Sequence, residues 1–363
     1  MRRVVVTGLG AVTPVGNDAR STWEAALAGT SGVDFIRAFD PSAFPVRIAA
    51  EVKDFDPTGL ASPKEVRRLD RNVLLALAAA REAMGDAGIN GFDPARVGVV
   101  FGSAIGGFHA LAMLPYLDLE LIAAHPKVFT GYSDTTIGHL AFGKAGVGSF
   151  YGMAVLSTAA ENGGIAPFSA DSFRATVMST EPIGDLAPAP EWTEEQLDWA
   201  NPELQSRRRR WVPNYGWLWL QGSEPVQGPL IGGCLEVLAM AVGTKIWPDL
   251  ADFEDAVLHL EISNDQPPQV QVQVWLRQFA ALGILARISA LLFSRPEAMS
   301  LRETLALYDA VRDELVVAGR PDLPFVANLD YGHSSPMGML PLGRRMLVDP
   351  QQRRLSILEA GVS

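Results

Sequence analysis

Short apolar runs closed by glycine or a polar residue alternate along this chain with segments of helical spacing. Val4-Val-Val6 ends at Gly8-Leu-Gly10, and Val97-Gly-Val-Val-Phe101 ends at Gly102. Between them, Arg71 to Met84 carries Ala and Leu at helical intervals, with Gly85 and Gly88 as stop signals. The pattern returns later as strands at 256–261, 288–293 and 324–328, with helices near 268–282 and 301–317. Buried strands alternating with helices predict an α/β fold whose sheet is at least partly parallel. We expect two domains, an N-terminal Rossmann-like parallel sheet and a C-terminal, sheet-rich mixed α/β domain.

The 363 residues suffice for two such domains. The expected divisions are 1–107, 108–185, a linker at 186–228, and 229–363. In the second segment, Met113 to Ile122 reads as a helix interrupted by Pro115, and Lys127 to Asp134 as a strand leading into a polar turn. The linker contains Pro188, Pro190, Pro202, Pro213 and Pro225, and five of the eight Trp: 192, 199, 211, 217 and 219. A long aromatic loop is uncommon unless it is functional or connects domains. Residues Gly228 to Leu238 open the last segment, and Arg354 to Leu358 reads as a closing edge strand.

Composition narrows the partners. A net charge of −11 argues against nucleic acid, because phosphate binding needs a basic surface. Arg207-Arg-Arg-Arg210 is a local exception, either a solvated helix end or a site for an anionic group. The single Cys234 excludes an intrachain disulfide, makes a thiolate zinc site untenable, and suggests a reducing, cytoplasmic compartment. The first apolar run is too short for a signal peptide, and no run of eighteen apolar residues predicts a membrane span. We expect no cofactor, no metal, and a homodimer.

Two distant features suggest chemistry. Asn328-Leu-Asp-Tyr-Gly-His333-Ser-Ser-Pro336-Met337 places a histidine on a glycine-flanked loop, and Val257-Leu-His-Leu260-Glu261 ends an apolar strand on a carboxylate. A carboxylate and a histidine that meet in space are two parts of a catalytic triad. The third part belongs on a sharp turn between strand and helix.

Residues 1 to about 107 resemble the N-terminal portion of a β-ketoacyl-ACP synthase. The resemblance is carried by Val4-Val-Val-Thr-Gly-Leu-Gly-Ala-Val-Thr-Pro-Val-Gly16, Phe39-Asp40 and Val97 to Gly107. Cys234, in Gly-Gly-Cys-Leu-Glu, does not look like the cysteine elbow that such a synthase needs. Residues from about 105 to 363 resemble the LD-carboxypeptidase and microcin-immunity family of serine peptidases. Here the markers are Ile105-Gly-Gly107, Leu114-Pro-Tyr-Leu-Asp118, Gly131-Tyr-Ser-Asp134, Phe150-Tyr-Gly152, Ile231 to Leu238, Gly332-His333 and Pro336-Met337.

This second resemblance implies a Ser, Glu and His trio acting on a small peptide or peptidyl-nucleotide. Counting from Gly107 puts the nucleophile at Ala110, with Glu261 and His333 as its partners. On that reading the oxyanion donors are the backbone N–H groups at Gly107 and Leu111. Ser133, Asp134, Trp192 and Trp217 are expected at the substrate, Ser133 as a contact or turn residue more than as a nucleophile. An alanine at the nucleophile position implies an impaired hydrolase. The alternatives are a non-catalytic binding or remnant fusion protein, and acyl transfer of the synthase kind without its cysteine. Ser103 is a second nucleophile candidate, and a metal cluster of His109, His259, Glu261 and His333 lacks ligand spacing.

Overall fold

The computed structural model describes residues 6–44, 46–67, 69, 71–89, 91, 111–198, 201–204 and 206–363. The chain divides into two compact units, Met1–Val97 and Gly98–Ser363. Among the described residues no helix is long and apolar enough to cross a membrane.

In the first unit the main elements are helices Ala19–Leu27 and Arg71–Asp86 and a two-residue antiparallel pair, β1 (Asp34–Phe35) with β2 (Ile48–Ala49). Asp18 caps the first helix by accepting from the Ser21 N–H at 2.6 Å. Glu82, on the long helix, accepts from the Ala11 and Ala19 N–H groups at 2.9 and 2.8 Å. The contacts are polar because little apolar surface is covered: of the described hydrophobic side chains here, Leu74 alone is buried. Trp23, Leu27, Phe35, Phe39, Phe44 and Ile48 are exposed. The expected strands at 4–6 and 97–101 lie outside the described residues, apart from Val6.

The second unit is mixed α/β. Its main sheet has eight strands in the order β5 (Gly184–Asp185), β15 (Arg354–Ile357), β14 (Arg345–Asp349), β9 (Val226–Cys234), β10 (Val257–Glu261), β11 (Ala290–Ser294), β12 (Phe325–Leu329) and β8 (Leu218–Gln221). The four central strands, β9 to β12, are parallel, and the outer ones are antiparallel. The central strands are buried on both faces, as covered parallel strands must be. Leu258, Leu260, Leu291, Phe293, Phe325 and Ala327 enter the core under helices Leu235–Ala241, Gln269–Ala281 and Leu301–Val317. Val257, Ala290, Leu292 and Val326 alternate with them into a second core with Tyr151 and Tyr331. Helix Leu301–Val317 starts at a capping box between Ser300 and Glu303, and its Leu307, Tyr308, Val311 and Leu315 form the buried stripe.

A smaller sheet orders β13 (Leu340–Leu342), β4 (Ser149–Tyr151) and β3 (Thr130–Gly131). The pairing of β13 with β4 brings residues near 150 and near 340 into one layer. Three expectations need adjustment. Pro115 breaks its segment into a 3-10 helix at Leu111–Tyr116 and a helix at Leu119–Ala124, the second capped by Asp118. The strand at 354–358 is not an edge, since β5 pairs outside it. The proline-rich stretch is more than a linker, since it supplies β6 (Glu191–Trp192), β7 (Val212–Pro213) and the sheet strand β8.

The two units differ in how much apolar surface they bury, which sets how readily each opens locally. Trypsin under native conditions should therefore cut between residues 6 and 91, at sites such as Arg37, Arg47 and Arg71, well before it cuts within 111–363. Equal resistance of both regions, read by mass spectrometry of the fragments, would contradict this account.

Candidate active site

Glu261 is the last residue of β10 and is fully buried. A carboxylate taken out of water needs donors. Its Oε2 faces His333 Nδ1 at 2.8 Å, and its Oε1 accepts from the Tyr151 hydroxyl and, at 3.3 Å, from the Ser133 backbone N–H. The Ser133 N–H is shared with the Tyr151 oxygen at 3.0 Å. Gly332 makes room for this carboxylate. Its φ is +85°, and a Cβ there would lie 1.9 Å from Glu261 Oε2.

His333 stands on the loop after β12, and that loop is held from below. Asp330 accepts from the Ala189 N–H (3.1 Å), Asn214 Nδ2 (3.0 Å), Trp217 Nε1 (3.0 Å) and Arg295 Nη2 (2.7 Å). The Tyr331 hydroxyl donates to the Leu260 carbonyl at 3.0 Å. Thr193 and Ser335 form a short antiparallel bridge, with the Thr193 N–H donating to the Ser335 carbonyl at 2.8 Å. Trp192 lies under the Arg295 guanidinium, 4.6 Å from its ring centroid. Trp192 and Trp217 thus both brace the Arg295–Asp330 pair. The basic run is taken up in the same segment: Arg207, Arg208 and Arg209 pair with Glu195, Glu191 and Glu161.

The group facing the other side of His333 is Ser133. Its Oγ lies 3.1 Å from Nε2. With Nδ1–H donating to Glu261, Nε2 is left to accept the serine proton. Ser133 follows β3 by two residues and opens the helical run at Ser133–Thr135 and Thr136–Lys144. Its φ is +61°, a left-handed value uncommon for a residue other than glycine and a sign of local strain. Gly131 before it adopts φ +154°, where a Cβ would meet Thr135 Oγ1 at 2.6 Å. The turn is further fixed by His139, whose Nε2 lies 3.0 Å from the Gly131 carbonyl and whose Nδ1 lies 2.9 Å from Ser149 Oγ.

The sequence reading put the nucleophile at Ala110 and an oxyanion donor at Gly107; both lie outside the described residues, as do Ser103 and His109. Leu111 sits in the 3-10 helix and packs on the first core. Asp134 is half-buried beside Ser133; burial raises its carboxyl pKa, the His333 charge lowers it, and Asp265 raises it again, leaving it above the ordinary value. His259 lies beneath the site between Tyr151 and Tyr331, ring centroids 4.8 and 5.5 Å away, and burial pushes its pKa down to about 3. Among the described residues no group of three His, Cys, Asp or Glu side chains is arranged to hold a metal ion. The signal that would have singled out Ser133 is Gly131-Tyr-Ser-Asp134 between a short strand and an apolar helix, a turn with the shape a nucleophile requires.

Burial pulls the His333 pKa down, but the charge and hydrogen bond of Glu261, with the fields of Glu297 and Glu236, more than offset it. The ring therefore titrates above its ordinary 6.5. Gly332→Ala should disrupt this arrangement, since the added methyl takes the position of Glu261 Oε2. We expect a loss of about 2 kcal/mol or more of stability from φ strain and steric overlap, and a fall in the His333 pKa visible by NMR titration. An unchanged titration would show that Glu261 does not depend on the space at Gly332.

Comparison with known proteins agrees with this architecture. The family model of the LD-carboxypeptidase C-terminal domain matches residues 227–348, and that of the beta-ketoacyl synthase N-terminal domain matches residues 1–141. The 3-oxoacyl-[acyl-carrier-protein] synthase 2 of Coxiella burnetii is 52% identical over 108 residues, which are 29% of this chain and 26% of that one. Its counterpart in Staphylococcus aureus is 46% identical over the same length and shares. The chain thus spans about a quarter of the length of these curated relatives. Among solved structures, an MccF-like protein from Streptococcus pneumoniae in complex with AMP superposes with a TM-score of 0.59 and 29% identity, over 68% of this chain and 74% of that one. The microcin C7 self immunity protein MccF, as an inactive mutant in the apo state, gives 0.59 and 25% over 69% and 73%. The chain joins a segment similar to the N-terminal domain of β-ketoacyl synthases to a body similar to the LD-carboxypeptidases and microcin-immunity peptidases.

Proposed function

We propose that the chain is a serine amide hydrolase with Ser133, rather than Ala110, as its nucleophile. One observation carries the reading: Ser133 Oγ, His333 and Glu261 form a continuous hydrogen-bonded series, at 3.1 and 2.8 Å, on a strained turn that opens a helix. With the hydroxyl in place, the expectation of an impaired enzyme gives way to that of an active one.

In the forward reaction Ser133 Oγ bonds to the amide carbon while its proton passes to His333 Nε2. Glu261 holds Nδ1–H and stabilises the imidazolium. The carbonyl oxygen becomes an oxyanion beside the Asp134 N–H, one of the first N–H groups of a helical run, which have no intrahelical partner. Such a donor contributes about 3–4 kcal/mol to the transition state. The C–N bond then breaks, and His333 returns the proton to the leaving nitrogen. Water, activated by the same histidine, releases the acyl group from Ser133.

The substrate class follows from the relatives. An AMP-bound neighbour at 29% identity supports an amide with a nucleotide-like leaving part, a peptidyl-nucleotide, and the peptidase segment supports a small peptide as the other choice. Acyl transfer through Cys234 is disfavoured: burial, then the charges of Glu261 and Glu236, push the thiol well above its usual range and leave no thiolate.

A fluorophosphonate probe should label the protein at Ser133. Ser133→Ala should abolish labelling and lower kcat by about six orders of magnitude, whereas Ser103→Ala keeps the label and Ala110→Ser adds no activity. Labelling that survives Ser133→Ala would sink the assignment. The pH profile is a second test. His333 must be neutral to accept the proton and its pKa is raised, so kcat/KM should climb with pH through a midpoint above 6.5. Glu261→Gln removes the raising charge and should move that midpoint down; an acid limb below 6.5 in the unmodified protein would contradict the electrostatics.

A further inference from the structure

A cavity of about 470 Å³ opens upstream along the strands that carry the catalytic groups. Its walls include Ser149, at the start of β4, and Pro229 to Gly232 of β9. The far ends of those strands carry Tyr151, which donates to Glu261, and Cys234, which stands opposite Glu261 in register. The end of helix Thr136–Lys144 and the turn between β13 and β14 complete the enclosure. Ser133, Glu261 and His333 do not line it. The volume suits a small organic molecule.

The lining has two characters. Leu140, Val147, Ile231 and Leu342 make it apolar in part. Arg344 gives it a charge. The Arg344 Nη2 donates to the Gly361 carbonyl at 3.3 Å, while its Nε is buried with no hydrogen-bond partner. Among the described residues no carboxylate stands within ion-pair distance of this guanidinium. The other charged groups of the wall are engaged. Lys144 pairs with Asp249 at 2.7 Å and Glu254 with Arg287 at 3.5 Å, and Asp252 accepts from the Asp249 N–H at 2.7 Å. A Cβ at Gly148 would stand 4.0 Å from Arg344 Nη2, so the guanidinium lies beside backbone that bears no side chain.

A buried donor without an acceptor is costly, and the fork of a guanidinium matches a carboxylate. Asp252 and Glu254 in the same wall disfavour a ligand with a second negative charge. We propose that this cavity binds a small monoanionic carboxylate with an apolar body. Arg344 holds the carboxylate, and Leu140, Val147, Ile231 and Leu342 cover the body. The site is separate from the catalytic groups and does not depend on the hydrolase reading. It does touch their support: His139 lines the cavity, and its Nε2 lies 3.0 Å from the carbonyl of Gly131, two residues before Ser133.

Calorimetry on the unmodified full-length protein would compare octanoate with octanol, butanoate and octyl phosphate at about pH 8. Octanoate should bind saturably, at least about tenfold tighter than octanol, which lacks the charge. It should exceed butanoate by about tenfold or more, because the longer chain buries more methylenes. It should also exceed octyl phosphate, a dianion at that pH. NMR should show the His139 ring signals moving as octanoate saturates. Arg344→Gln should weaken octanoate at least about tenfold. Gly148→Leu should do the same with the guanidinium retained, since a side chain there starts 3.5 Å from the Leu342 carbonyl oxygen and points at Arg344. Melting temperatures establish that each variant is folded; if neither folds, the comparison with octanol and the His139 shift decide. No saturable binding, equal binding of octanol, tighter binding of octyl phosphate, unmoved His139 signals, or unchanged affinity in a folded variant overturns the proposal. None of these readouts uses hydrolysis or labelling at Ser133, so failure of the hydrolase reading leaves them intact.

Discussion

The structure around the site is organised by one buried charge. Glu261 ends the central strand β10 with no exposure to water, and three other parts of the fold supply its partners. β4 supplies the Tyr151 hydroxyl, the turn after β3 supplies the Ser133 N–H, and the loop after β12 supplies His333. Removing a partner from a buried charge costs about 3–5 kcal/mol. The two sheets are therefore tied together electrostatically where Ser133 and His333 meet, and the contacts that bring them together are also what satisfies the carboxylate.

A second buried pair supports the first. Arg295 and Asp330 are nearly inaccessible and pair at 2.7 Å. Asp330 collects donors from the proline- and tryptophan-rich stretch, which packs along the histidine loop through Thr193 and Ser335. That stretch has little regular structure of its own, and ion pairs from Arg207, Arg208 and Arg209 give it a fixed course. A run of four arginines in an acidic protein is here internal scaffolding more than a docking site for anions.

The first unit follows different physics. A sequence close to half identical to part of a synthase forms its local structure here, such as the Asp18 cap and the helix at Arg71–Asp86. It covers only about a quarter of such a protein, and its apolar residues meet few counterparts. Local propensity can be inherited in a fragment; a core cannot, because burial is a property of pairs of surfaces.

Sequence alone settled what depends on neighbours along the chain. Continuous apolar runs and period-3.6 patterns located β10, β11, β12 and the two longer helices between them to within a residue or two, since strands buried on both faces and amphipathic helices leave strong local signatures. The glycine before His333 and the carboxylate closing β10 were likewise legible as chemistry. Tertiary structure decided which groups meet. Two-residue strands such as β5 carry too few residues for any pattern, and β8 hides among prolines and tryptophans. The serine presented to His333 was in plain view in Gly131-Tyr-Ser-Asp134, yet its positive φ and its 3.1 Å approach to a side chain 200 residues away follow from packing, not from spacing.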